Sequence, residues 1–91
     1  MNGHPLDPEH VVHVDGEDFE VTAVRESGEY LIARVRDERS VAHLRRNASD
    51  GRCITHVVDE SVAIETIHSV VVSARGRGLV PESTSDAVLH R

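Results

Sequence analysis

Apolar residues recur at alternate positions through much of His10 to Arg36, and two turn signals interrupt the run. A period of two marks a half-buried β-strand. The first break is Asp15-Gly16, a dipeptide that favours a two-residue hairpin turn because Gly takes positive φ at little cost. That turn sets Val14 across from Glu17, Val12 across from Phe19 and His13 across from Asp18. The second break is Glu26-Ser27-Gly28, which reads as a three-residue loop. Counting outward from it pairs Ala23 with Leu31, Val21 with Ala33 and Phe19 with Val35. All six then share a face with Val12 and Val14. The opposite face carries Val24, Tyr30 and Ile32 beside Thr22, with Glu20 across from Arg34. Two turns that agree on one apolar face predict a three-stranded antiparallel meander.

Residues 40–46, SVAHLRR, fit either a strand or a helix capped by Asp37. The short connection before them favours a fourth strand. Asn47 to Gly51 is a loop by composition, and the β-branched run at 52–58 reads as a fifth strand. Residues 59–75 are also β-branched, yet Ile64, Ile67, Val70, Val71 and Ala74 recur at helical spacing. Asp59 or Ser61 can cap that helix, and Arg75-Gly76 can end it. The expected fold is therefore α+β: an antiparallel meander of about five strands with one C-terminal helix packed on one face. If 59–75 is a strand instead, the alternative is a small all-β barrel. Residues 1–9, with Pro5 and Pro8, are expected to be a flexible arm. Residues 10–76 form a single domain, and 77–91 a flexible tail in which Leu79 and Val80 are apolar enough to dock.

Composition narrows the picture. In 91 residues Phe19 and Tyr30 are the only aromatics, so the core must be aliphatic. Small domains bury a smaller share of their surface, and oligomerisation is a common remedy. A homo-oligomer is the expectation. One cysteine, Cys53, excludes an intramolecular disulfide. The opening MNGHPLDPEH lacks the basic and apolar regions of a signal peptide, and no apolar run has the length of a membrane span. A cytoplasmic protein without membrane contact is expected.

Net charge is −6, and all ten basic residues are Arg. Residues 1–33 hold eight acidic residues and only Arg25, whereas residues 34–52 hold six Arg against Asp37, Glu38 and Asp50. Arg34, Arg36, Arg45 and Arg46 in this basic middle are the candidate contacts for an anion or nucleic acid. Single-strand binders add stacking aromatics, and only Tyr30 could serve.

Seven histidines raise metal binding. His10 and His13 fall on opposite faces of a strand, which separates them. His43 and His56 are the weak candidates, neighbours if the strands at 40–46 and 52–58 pair. Zinc needs three or four converging ligands, so no metal and no cofactor are expected. Cys53 has no placed base, and no nucleophile elbow or phosphate-cradling Gly loop occurs. Catalysis is therefore disfavoured. The leading expectation is a small non-catalytic binding or adaptor module that acts through protein contacts. Its surface would be Val24, Tyr30 and Ile32, or an exposed sheet edge. A nucleic-acid-binding regulator using the Arg-rich 34–52 segment is the alternative. A histidine-based metal- or small-ligand-binding protein is the second.

Overall fold

Asp15 and Gly16 adopt φ of 54° and 76°, the paired left-handed conformations of a type I′ turn. This turn joins β1 (Val11–Val14) to β2 (Glu17–Val24) in the expected register, with Val12 opposite Phe19 and His13 opposite Asp18. A computed structural model describes residues 8–90. Residues 1–7 of the expected arm lie outside the described residues, as does Arg91; Pro8–His10 form a short 3-10 turn.

The second hairpin departs from expectation by one residue. β3 spans Glu29–Arg34, and Val24 pairs directly with Glu29. The Gly28 N–H donates to the Val24 carbonyl at 2.9 Å, so the loop holds four residues, not three. Ala23 therefore faces Tyr30, Val21 faces Ile32 and Phe19 faces Arg34. Leu31 lies across from Thr22, on the side opposite Phe19. Every β3 side chain is inverted relative to the expected register, as a one-residue slip requires. Ile32 enters the core at 1% exposure, and Leu31 is half-buried on the other face.

β4 (Arg39–Arg46) and β5 (Cys53–Val57) continue the antiparallel meander. Between β3 and β4 the pairing jumps from Ile32–Ala42 to Ala33–Ser40, which leaves Val41 as a bulge residue. Bulges bend the strand and increase its twist. The chain then enters the helix α1 (Ile64–Gly76) and returns as β6 (Val88–His90). β6 pairs with β5 in parallel, a geometry that needs a long crossover such as this one. The sheet order is β1-β2-β3-β4-β5-β6.

The fold is thus α+β, with an open six-stranded, mostly antiparallel sheet and one C-terminal helix. The sheet does not close into a barrel, because β1 and β6 do not pair. It does curl. Strands lie about 4.8 Å apart, so the edges of a flat six-stranded sheet would be about 24 Å apart. A helix is only about 10–12 Å across, yet α1 touches β1, β5 and β6. The sheet therefore brings both of its ends toward the same helix.

Ile67, Val70, Val71 and Ala74 are the buried face of α1, as their spacing predicts. They meet Val12, Phe19, Val21, Ile32, Ala42, Leu44 and Val57 in one aliphatic core with a single aromatic. The helix begins later than Asp59. That carboxylate instead accepts the Ser61 N–H and hydroxyl at 2.9 and 2.7 Å, closing a turn. The helix ends at Gly76, where the sequence placed the stop. Gly78, with φ of 77°, carries the reversal. Its N–H donates to the Arg75 carbonyl and the Leu79 N–H to the Ala74 carbonyl, a Schellman pair. The segment expected to trail from residue 77 is part of the fold: Leu79 and Val80 pack on the core and 88–90 form β6. Among the described residues no helix is long and apolar enough to cross a membrane.

Candidate functional site

The three side chains expected to share an outer surface do not. Ile32 is a core residue, and Tyr30 packs against the core from the same face. Val24 points to the other side of the sheet, since it pairs with Glu29 one position beyond the Ala23–Tyr30 pair. The corrected register removes the geometric basis for a Val24–Tyr30–Ile32 patch.

The four arginines are also separated. Arg34 is nearly enclosed, its side chain 11% exposed. Its Nε and Nη2 donate to Asp37 Oδ1 and Oδ2 at 3.1 and 2.8 Å, a bidentate fork. Asp59 Oδ2 lies 3.7 Å from Arg34 and 3.9 Å from Arg39. Arg36 pairs with Glu17 at 3.5 Å, and Arg45 with Glu29 at 3.0 Å. Arg46 donates to the Gly51 carbonyl at 2.7 Å. Arg45 and Arg46 are adjacent on β4 and so point to opposite faces. Each guanidinium is engaged by an acceptor of this chain, and the four form no common surface.

This lattice fixes charge as well as shape. The Arg34 guanidinium hydrogen-bonded to Asp37 lowers that carboxyl to about 2. Asp59 is also held below the usual carboxylate range, first by the Ser61 hydroxyl and N–H and then by Arg39 and Arg34. Arg34 is raised in turn, chiefly by Asp37. The lattice clamps the β3–β4 turn to the segment that leads into α1.

His43 and His56 do become neighbours. They pair directly across β4 and β5, their ring centroids 5.6 Å apart and their planes at 71°. Among the described residues no group of three or more His, Cys, Asp and Glu side chains could hold a metal ion. Cys53 is fully buried in the core.

Two concavities among the described residues bear on a site. One, of about 240 Å³, lies at the start of α1 between Arg34, Arg36, Glu17, Asp15, Ser61 and Thr66. Its polar groups bond to the chain itself: Thr66 Oγ1 donates to Asp15 at 3.0 Å, Arg36 meets Glu17 and Ser61 meets Asp59. The other is a groove of about 360 Å³ between α1 and β6, lined by Ile64, Glu65, His68, Ser69, Asp86 and Val88. Here the start of β6 faces the first turns of α1.

Arginines near the end of α1 reach toward both ends of the sheet. Along β1 the Arg77 guanidinium donates to the carbonyls of Val11 and Glu9, the latter at 2.9 Å. Backbone acceptors at the start of that edge are therefore taken. At the other end, Arg75 donates to the Thr84 carbonyl and to Asp86, both at 2.6 Å, just ahead of β6. Leu89 of β6 is 45% exposed and Val72 of α1 42%. Sequence reasoning missed this edge. The available signal was the short apolar run Ala87-Val88-Leu89, set in a Ser/Thr-rich context that reads as tail. No protein-family model, curated protein or solved structure matches this chain.

Proposed function

We propose that this chain is a small non-catalytic binding module that receives an extended segment of a protein partner at the free edge of β6. The supporting observation is that β6 ends the sheet and begins beside a groove that Ile64 and Val88 line against α1. Strand addition uses both: main-chain hydrogen bonds along the edge give affinity, and pockets for alternate side chains give specificity. The partner segment belongs either to another protein or to a second copy, which would make the module homo-oligomeric.

Random peptides displayed for selection on the full chain test the reading, with binders mapped by backbone amide shifts. Binders that perturb Val88–His90 together with Ile64–Ser69 support it. Binders that perturb only other strands, or a selection that yields none, overturn it. Sedimentation equilibrium of the full chain decides whether a second copy competes for the edge.

A further inference from the structure

The groove beside β6 carries charge as well as apolar surface. Ile64 and Val88 form its apolar floor, both partly buried. Glu65 and Asp86 stand at its mouth and are exposed. Asp86 is held by Arg75 Nη2 at 2.6 Å, and that hydrogen bond keeps its carboxyl below the usual range, so it stays ionised. Glu65 makes no ion pair among the described residues. His68 and Ser69 complete the helix side with a ring nitrogen and a hydroxyl.

We infer that the segment received at β6 is basic and apolar in alternation. This rests on the strand-addition reading and specifies its partner. A strand laid against β6 directs alternate side chains to opposite faces. One set enters the groove, where Ile64 and Val88 accept an aliphatic or aromatic side chain. A Lys or Arg in the segment reaches Glu65 at the mouth. β6 is three residues long, about 10 Å of strand, so three or four residues of the partner pair with it. The whole chain favours the same partner: a net charge of −6 steers cationic segments toward it and repels acidic ones.

The test uses the full chain and two synthetic peptides of equal length, one alternating Lys with Val and Leu, the other with Glu in place of Lys. Titration calorimetry gives their affinities at low and at physiological salt. The basic peptide is expected to bind at least about tenfold more tightly, with the advantage shrinking as salt rises. Glu65→Gln removes most of that preference while the amide shifts of β6 on binding persist. Glu65 is exposed, so this variant leaves the core untouched. Equal or tighter binding of the acidic peptide overturns the inference, as does an unchanged preference in Glu65→Gln. In either case binding at β6 itself preserves the broader reading, whereas loss of β6 perturbation for every peptide overturns both. Protection of β6 amides that rises with protein concentration, without peptide, assigns the edge to a second copy and overturns the basic-peptide inference.

Discussion

Val21 on β2 stands directly across from Ile32 on β3, and both side chains are almost completely buried. This pair sets which face of β3 meets the helix. Tyr30, Ile32 and Arg34 share a face with Ala23, Val21 and Phe19; Leu31 and Ala33 lie on the other. Ile32→Ala should therefore lower stability by about 2–5 kcal/mol, the range for truncating a large core aliphatic. Leu31→Ala, at a half-buried position on the other face, should cost clearly less. Urea denaturation of the two variants ranks them. Equal losses, or a greater loss for Leu31, would restore the alternative register.

The helix stop at Gly78 predicts opposite signs for two neighbouring glycines. At φ of 77° a side chain is strained, so Gly78→Ala should cost about 1–2 kcal/mol. Gly76 ends the helix with ordinary φ, and a Cβ there meets nothing within 4 Å. Gly76→Ala should stabilise by about 0.4–1 kcal/mol through a less flexible unfolded chain. Thermal unfolding of both variants checks the pair of signs.

Asp37 predicts a window of acid sensitivity. Its carboxyl titrates at about 2 when folded, against about 3.9 in an unfolded chain. As pH falls from about 4 towards 2 the unfolded state takes up the proton first, so stability declines across that window. The contribution is fully present above it. In Asp37→Asn the protein should be less stable at neutral pH and should lose less between pH 4 and 2. Circular dichroism during denaturant titration at fixed pH values measures both effects. Identical pH slopes for the two proteins would show that Asp37 is not tightly held.

Thr55 lies fully buried between Leu44 and Val88, and its hydroxyl has no hydrogen-bond partner among the described residues. An unmatched buried hydroxyl carries a desolvation cost of about 1–3 kcal/mol. Thr55→Val keeps the shape and should raise stability by up to that amount. A fall in the denaturation midpoint would mean the hydroxyl is satisfied in solution.

The residues themselves show which parts of this fold were legible. Asp15-Gly16 was, because the turn's conformation depends on two adjacent residues and its register follows at once. The buried helical stripe Ile67, Val70, Val71 and Ala74 was legible for the same reason of local periodicity. The second hairpin was not. β3 carries apolar side chains on both faces, so neither alternation nor burial preference distinguished a three-residue loop from a four-residue one. Asp59 looked like a helix cap, but its carboxylate is taken by Ser61 two residues on.

Amino-acid order alone determined the meander, the first turn, the helical stripe and the α+β class, since each is set by interactions over a few residues. Tertiary structure decided the rest: the inward face of β3, the acceptors that engage Arg34, Arg36, Arg45 and Arg46, and the parallel pairing of β6 with β5. Those outcomes depend on contacts between residues far apart in the chain, where an error of one position in a loop inverts a whole strand.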